Sequence, residues 1–197
     1  MRKAVILGAV AALGMSTAFA GESVSYSYVD AGYGYGELAS GEVHGDGFKL
    51  AASLELPANF IVVANYRDFT FDDSGSNLDI SELGAGLAYK CALGEMFDIL
   101  TGVSYQRLEI EGTSETGFGL SLGTRGRVTD NVEVSVGLEY ADIKNIPSTF
   151  TLSAGVRRYF TPAFSAGLDV RKSEFGGFVG ETSFIAGVRY DFGSLFN

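Results

Sequence analysis

The chain has 197 residues, of which 46% are hydrophobic and 27 are glycine, a mixture that excludes intrinsic disorder and favours one domain built of tightly turned strands. Acidic residues outnumber basic ones by 24 to 14, for a net charge of -10 with no Lys/Arg-rich tract, which excludes nucleic acid as a partner. The single cysteine and the single histidine exclude an intramolecular disulfide and a multi-histidine metal site.

Residues 1–20 have the three parts of a secretory signal peptide. Arg2 and Lys3 precede a short apolar run over residues 4–13, and small residues lead to Ala20. The apolar run is shorter than the roughly 18 residues that a membrane anchor needs. We therefore predict cleavage after Ala20 and a mature domain spanning residues 21–197.

Period-two alternation dominates the rest of the sequence and is typical of strands with chemically different faces. In the clearest segment, Val136 and Leu138 alternate with Glu133 and Glu139. Ten segments are predicted, with eight strands as the alternative count, at residues 24–34, 46–56, 59–70, 78–91, 96–108, 116–128, 131–142, 149–160, 163–173 and 182–193. Each is near or above the roughly 9 to 11 residues with which a tilted strand crosses a bilayer.

The third segment breaks the alternation. Phe69 and Phe71 fall on the opposite parity from Phe60 and Tyr66. A bulge near Arg67 would restore the pattern, and we predict one there.

Two kinds of connection alternate between the predicted strands. Short ones with turn residues lie at 57–59, 92–95, 129–131 and 161–163, and longer polar ones at 34–45, 71–77, 109–115, 143–148 and 174–181. Tight turns at one end of a sheet and longer loops at the other are typical of an outer-membrane barrel, whose short turns face the periplasm. Ten strands place both termini on that side.

Aromatic residues of the apolar face gather at the ends of the predicted strands. The set at the loop end comprises Tyr33, Tyr35, Phe48, Tyr105, Phe118, Tyr140, Phe150 and Phe184, and the set at the turn end comprises Phe60, Tyr89, Phe97, Phe164, Tyr190 and Phe192. Two rings of aromatics suit two membrane interfaces, whereas the filling of a soluble core gives no reason to avoid strand centres. The pattern therefore favours a membrane barrel over a soluble one.

The polar face carries charges of both signs in similar number. The predicted lumen network comprises Lys49, Glu55, Arg67, Glu82, Arg125, Arg127, Glu133, Glu139, Arg157, Asp169, Arg171, Arg189 and Asp191, and Asp30, Lys90 and Asp98 share the same face. An unpaired buried charge costs several kcal/mol, so we predict mutual neutralisation inside a narrow lumen. A solvated surface of mixed charge is the alternative.

The chain ends in an aromatic-rich strand. Tyr190, Phe192 and Phe196 share one parity, and this end resembles the assembly signal of outer-membrane barrel proteins, although Asn197 follows the last aromatic. Together with the signal peptide and the alternating strands, it makes the chain resemble a small Gram-negative outer-membrane β-barrel of the OmpA/OmpX superfamily type. That resemblance implies a closed antiparallel barrel in the outer membrane, inserted by the barrel-assembly machinery and in contact with lipid and lipopolysaccharide.

We expect a non-enzymatic role in envelope integrity, or in adhesion or ligand contact through the loops. One alternative is a narrow pore for ions or small solutes, because ten strands nearly fill a barrel with side chains. The other is a lipid A-modifying enzyme, as some members of the superfamily are. His44, with Glu42 or Asp46 to orient it and Ser40 or Ser76 as nucleophile, is the one set that could serve, and nothing in its spacing requires catalysis.

No cofactor or metal is expected. Asp73, Asn77 and Asp79 form the best local acidic cluster, yet they do not match a calcium-loop pattern. Cys91 lies at the turn end of its predicted strand and is expected to face lipid or interface with no redox role. The sequence does not specify an oligomeric state.

Overall fold

The structure, a computed structural model, describes residues 24–38, 43–73, 76–175 and 179–193. The predicted signal peptide at residues 1–20, Ser40, Glu42 and Phe196 lie outside the described residues. Among the described residues, no helix has the length and apolar character needed to cross a membrane.

Ten strands account for most of the described residues. They are β1 (Tyr28–Leu38), β2 (His44–Glu55), β3 (Phe60–Asp73), β4 (Ser76–Leu93), β5 (Phe97–Ile110), β6 (Thr113–Thr129), β7 (Val132–Ile143), β8 (Thr149–Tyr159), β9 (Phe164–Phe175) and β10 (Val179–Asp191). A single 3-10 turn, Pro57–Asn59, connects β2 to β3.

The ten strands close into one antiparallel barrel. Each strand pairs with its neighbours in the chain, and β1 pairs with β10 from Tyr28 opposite Asp191 to Leu38 opposite Glu181. Every strand therefore has two partners, and the backbone donors and acceptors of the wall are satisfied without a free edge. The predicted fold class, a closed all-β barrel, is confirmed with ten strands.

The alternation in the sequence separates two faces of the wall. Val136 and Leu138 point outward and are 50% and 47% exposed, whereas Glu133, three positions before Val136, points into the lumen and is 3% exposed. A strand has a side-chain period of two, so the register of the pairs fixes this division along the whole wall.

β1 begins four residues later than the predicted segment at 24–34. Val24 and Tyr26 share a parity with the inward-facing Asp30, whereas the outward face of β1 starts at Val29. Residues 24–27 leave the wall because their apolar side chains are on the lumen side, where they pack against other strands. The prediction of a strand over these four residues was wrong.

The predicted bulge near Arg67 was also wrong. The pairing of β3 with β2 runs without interruption from Ile61 opposite Glu55 to Asp72 opposite His44. Phe69 and Phe71 therefore point into the lumen, where they are 2% and 0% exposed. A register shift occurs instead in β6, between residues 127 and 129.

Of the polar segments predicted between strands, those at 71–77 and 109–115 continue the wall for most of their length, whereas residues 144–148 form a loop. β3 and β4 are separated by residues 74–75, and β5 and β6 by Glu111 and Gly112, whose φ angles of 50° and 77° fit a tight hairpin turn. As a result β4 has 18 residues and β6 has 17, against 11 in β8. The wall formed by β3–β6 is therefore longer than the rest, and its outward side chains at the loop end, such as Asp79 and Arg107, are polar and exposed.

Candidate functional site

The lumen brings together the charged residues that the sequence assigns to one face. All thirteen members of the predicted lumen network occupy inward-facing strand positions. Arg67, Arg125, Glu133 and Arg157 are only 3 to 6% exposed. The wall supplies these positions from eight of its strands, so the contacts among them cross the bore as well as running along it.

Glu133 is the most heavily shared anion near the turn end. Its carboxylate accepts hydrogen bonds from Arg125 Nε and Nη2 at 2.6 and 2.8 Å and from Arg189 Nη1 at 3.2 Å. The Tyr159 hydroxyl donates a fourth bond at 2.9 Å. Paired and fully hydrogen-bonded charges can remain ionised in a dry environment.

Asp30 is the second hub at this end. It lies 2.7 Å from Arg157 Nη2 and 3.1 Å from Arg189 Nε, so Arg189 bridges the two anionic hubs. Lys49 Nζ is 3.9 Å from Asp30 and 3.1 Å from Asp169. These contacts connect β1, β2, β8, β9 and β10 across the lumen.

A separate cluster lies nearer the loop end. Arg67 Nη1 donates to Glu82 at 3.1 Å and Arg67 Nη2 donates to Glu181 at 2.6 Å. Arg171 Nη1 lies 2.9 Å from the same Glu82 oxygen, Oε2, and 3.1 Å from Oε1. The Arg67 guanidinium also lies 4.7 Å from the centre of the Phe69 ring, a cation–π contact.

Three predicted network residues have other surroundings. Glu139 accepts a hydrogen bond from Gln106 Nε2 at 2.8 Å and makes no ion pair with Arg125 or Arg127 in the described part of the chain. Arg127 stacks 4.5 Å above the Tyr159 ring. For Asp191, 3% exposed, neither carboxylate oxygen has a hydrogen-bond partner within the described residues.

Residues 24–27, hereafter the N-terminal segment, enter the lumen at the turn end. Val24 and Tyr26 pack against Ile61 at the start of β3 in a buried apolar cluster. The segment's backbone is anchored on the other side, where Ser53 Oγ donates to the carbonyl of Tyr26 at 2.7 Å and the backbone N–H of Phe192 donates to that of Ser27 at 3.0 Å. The segment thus crosses the bore from the seam between β1 and β10 to the wall formed by β3–β5.

Tyr26 makes the contacts that hold the segment in place. Its hydroxyl donates to Asp98 at 2.8 Å, and its ring lies 4.9 Å from the Arg125 guanidinium and 5.0 Å from Lys90 Nζ. Burial raises the pKa of the Tyr26 phenol, so the phenol stays protonated and remains a donor. Lys90 also pairs with Glu55, and the phenol is therefore not its only partner.

A second apolar cluster lies inside the loop end. Phe69, Phe71 and Ile185 are buried there, and the half-buried side chains around them are Leu38, Val43, Leu78 and Ile80. Glycines make room for the rings, because a Cβ at Gly45 would lie 2.8 Å from Cδ1 of Phe71 and one at Gly47 would lie 2.7 Å from Cδ2 of Phe69. This cluster, hereafter the aromatic cluster, fills the β1–β4 and β10 side of the mouth.

The opposite side of the lumen is lined by small polar residues. Ser121 faces inward from the middle of β6 and is nevertheless exposed. Its inward neighbours are Gly119 and Gly123 on the same strand and Glu139 and Gly137 on β7, and Glu139 accepts the hydrogen bond from Gln106 on this side. Around Ser121 the bore is therefore less densely filled than beside the aromatic cluster.

Sequence reasoning missed the N-terminal segment, the aromatic cluster and Glu181. The sequence did contain a signal for the N-terminal segment and the aromatic cluster. The apolar residues change from one parity to the other at Tyr28 and again at Arg67, as expected where apolar side chains turn into the lumen. Glu181 was assigned to a loop, yet it shares its parity with Ser183 and Ile185, and both face inward. Each miss concerns apolar or terminal residues that enter the lumen.

His44 lies on the outer surface near the start of β2. Its Nδ1 is 2.6 Å from the Tyr35 hydroxyl and 3.8 Å from Glu37, and its ring stacks on that of Tyr35. Asp46 instead accepts a hydrogen bond from Tyr33. The imidazole is thus paired with a phenol and a carboxylate on the outer surface.

The predicted assembly signal is only partly within the described residues. Tyr190 and Phe192 face outward, 54% and 36% exposed, and Tyr190 lies beside Val29 across the seam between β1 and β10. Cys91 is likewise exposed on the outer face of β4.

Comparison with known proteins yields matches among structures alone. No protein-family model matches the chain, and no curated protein is similar to it in sequence. The NanC porin superposes with a TM-score of 0.54 at 7% identity, over 83% of this chain and 100% of that one. The β domain of the Bordetella autotransporter BrkA superposes with a TM-score of 0.50 at 12% identity, over 84% and 99%.

The fold is that of an outer-membrane β-barrel. The barrel also matches the CymD monoaromatic hydrocarbon channel, with a TM-score of 0.42 at 16% identity over 78% of this chain, and spans about half of that channel, 53%. At these identities the likeness concerns the architecture of the wall.

Proposed function

We propose that the protein is an integral outer-membrane barrel that strengthens the envelope and offers a polar outer surface for contacts, with a lumen closed to bulk diffusion. The observation that carries this proposal is the apolar outer face. Among the described residues, 29 large hydrophobic side chains are exposed, and every strand contributes to them. Soluble monomers rarely expose apolar patches beyond a few hundred Å².

The chemistry of the outer face supports lipid as its surroundings. Exposed aromatics such as Tyr33, Phe118 and Phe150 lie toward the loop end, and Phe60 and Tyr190 lie toward the turn end. Aromatic side chains at both borders of an apolar band are typical of barrels at membrane interfaces. The signal peptide, the barrel-assembly machinery and lipopolysaccharide as a neighbour belong to the same proposal.

The filled bore supports a structural role over an open pore. The N-terminal segment occupies the turn end, and ion pairs such as Arg67–Glu82 and Arg157–Asp30 bridge strands above it. Beyond the apolar band, the longer wall of β3–β6 carries polar residues outward, including Asp68 and Arg107. We assign contacts with lipopolysaccharide or other surface molecules to this region.

Two measurements test the location and the closed state. Membranes separated by density should contain the protein in the outer fraction, as a compact species whose electrophoretic mobility changes only on boiling. A freely soluble monomer contradicts the proposal.

In planar bilayers the unmodified protein should show no steady conductance. Discrete steps that are altered by Arg125→Ala or Glu139→Ala would favour the alternative of a narrow pore, since both side chains face the lumen.

A further inference from the structure

We propose that Arg158, on the outer face of β8, binds the phosphate group of a phospholipid at the turn end of the barrel. The inference rests on the proposed membrane barrel, and it names the lipid chemistry that this part of the outer face recognises. Arg158 is the next-to-last residue of β8. Its side chain points outward, because Arg157 and Tyr159 on either side of it are buried in the lumen.

Apolar side chains surround Arg158 on the outer face. In the register of the sheet it lies opposite Val132 of β7 and Ala166 of β9. Along the chain its outward neighbours are Val156 and Phe160, which are 48% and 55% exposed. The guanidinium carbon lies 6.0 Å from the centre of the Phe160 ring, a cation–π contact. The charge is therefore set in the same apolar face that the proposed function assigns to lipid.

Arg158 has no anionic partner in the part of the chain that the structure describes. No carboxylate there forms an ion pair with its guanidinium, which also donates no hydrogen bond to a described residue. The other two outward-facing basic residues of the strands are paired, Arg107 with Glu109 at 2.8 Å and Lys172 with Glu174 at 3.4 Å. An unpaired charge on an apolar surface is costly, so Arg158 calls for an anion from its surroundings.

The position of Arg158 along the wall matches the depth of lipid phosphates. Phe164, the first residue of β9, is 42% exposed, and its ring lies 6.2 Å from that of Phe160. Aromatic side chains at the end of the wall mark the boundary between acyl chains and headgroups. A basic side chain at this boundary reaches the headgroups while its methylene groups stay in contact with apolar neighbours.

A phospholipid phosphate complements both parts of this surface. The planar guanidinium offers two parallel N–H donors to two phosphate oxygens. The exposed side chains of Val156, Phe160 and Phe164 offer contacts to the acyl chains of the same lipid. A free phosphate ion would use the guanidinium alone, so we assign the phosphate to a lipid.

The experiment compares stability in two kinds of vesicle. The unmodified protein and Arg158→Gln are folded into vesicles of phosphatidylglycerol and into vesicles of galactosyl diacylglycerol, whose headgroup has no phosphate. In phosphatidylglycerol the change should lower the ratio of folded to unfolded protein in a urea titration about fivefold, the effect of one basic residue at an anionic membrane surface. In the galactolipid it should have little effect. Arg158→Lys, which keeps the charge but not the paired donors, should give an intermediate loss.

Arg107→Gln is the matched control. It removes the same charge from an outward-facing residue, but at the loop end and from a side chain that already has a carboxylate partner. The difference between the two lipids should be much smaller for this variant than for Arg158→Gln. An equal dependence on the lipid for both variants would reveal only general attraction to an anionic surface, and it would overturn the proposed contact.

The remaining outcomes separate the lipid, the free ion and the membrane barrel. Inorganic phosphate is added to the galactolipid vesicles, and it should not stabilise the unmodified protein relative to Arg158→Gln. If it does so as strongly as phosphatidylglycerol, the lipid assignment is wrong. Equal losses for Arg158→Gln in the two lipids overturn the contact and leave the membrane barrel in place. An unmodified protein that associates with neither vesicle and stays a soluble monomer contradicts the proposed function and this inference together.

Discussion

Single residues in the lumen act as shared counter-ions. Glu133 accepts bonds from two guanidinium groups and a phenol, and Asp30 contacts the same Arg189 from the other side. Sequence alternation predicted that these residues face one way, because apolar residues alternate with charged or small ones from Val132 to Glu139 in β7. Chain order also predicted ion pairs between neighbouring strands, and Arg125–Glu133 is one that forms. The pairs across the bore were not predicted, since they depend on the closure of the barrel and on side-chain reach.

Replacement of Glu133 tests how much this shared anion contributes to the stability of the barrel. Glu133→Gln keeps the shape but leaves Arg125 without a charged partner, and we expect the free energy of unfolding to fall by about 3 to 5 kcal/mol. Urea titration of the protein in phospholipid vesicles measures the change. Circular dichroism follows the unfolding, because the chain has no tryptophan whose fluorescence could report it.

An exposed ion pair provides the control for this change. Glu109 pairs with Arg107 at 2.8 Å, with side chains 39% and 46% exposed. Glu109→Gln should cost about 1 kcal/mol or less. Equal losses for the two variants would show that burial of the Glu133 cluster adds nothing to stability.

At the scale of elements, the sequence predicted all ten strands, but it did not predict correctly which face every apolar residue occupies. Period two predicted ten strands because the outer face and the lumen carry different side chains over most of the wall. The rule fails in β3, where Phe69 and Phe71 are apolar yet face inward. It fails there because part of the lumen is apolar: Phe69 and Phe71 pack on Ile185 and on the half-buried hydrophobic side chains around it.

The glycines opposite this cluster are predicted to be essential for its packing. In Gly45→Ala the new Cβ would meet the carbonyl oxygen of Thr70 at 2.3 Å and the Cα of Phe71 at 2.8 Å, both backbone atoms. The strand must shift to accommodate them, and we expect a loss of about 1 to 3 kcal/mol.

A second inward glycine distinguishes crowding from a general effect of substitution. At Gly137 a Cβ would meet only Ser153 Oγ, at 2.8 Å, and this hydroxyl can rotate away. Gly137→Ala should therefore be nearly neutral in the same urea titration. If Gly45→Ala were as mild as Gly137→Ala, the aromatic cluster would be looser than the structure shows.

For the whole molecule, the decisive property is that apolar side chains point outward from the wall and charged ones point into the lumen. The sequence predicted this orientation from the aromatic rings and the balance of charge, and the exposed outer face has the expected apolar composition. The N-terminal segment could not be placed from alternation, because its docking depends on Asp98, Lys90 and Arg125, which come from three distant strands.

Two adjacent residues in the middle of β6 test the orientation. Leu122 faces outward and is 55% exposed, whereas Ser121 faces the lumen next to Glu139 on β7. Leu122→Arg should make folding into vesicles less favourable by about 2 to 4 kcal/mol, the cost of a basic side chain on the lipid face near the midplane. Ser121→Arg should have a much smaller effect, because Glu139 can pair with it. The reverse order of the two losses would mean that the faces are assigned the wrong way round.

The seam of the barrel joins the two ends of the described chain, with Tyr28 opposite Asp191. Until β10 is in place, β1 lacks a neighbour on one edge, and the incomplete sheet exposes unpaired backbone amides and carbonyls. Contacts between residues so far apart in sequence form slowly. Closure of the wall must therefore wait for β10, and the seam is the place where folding ends.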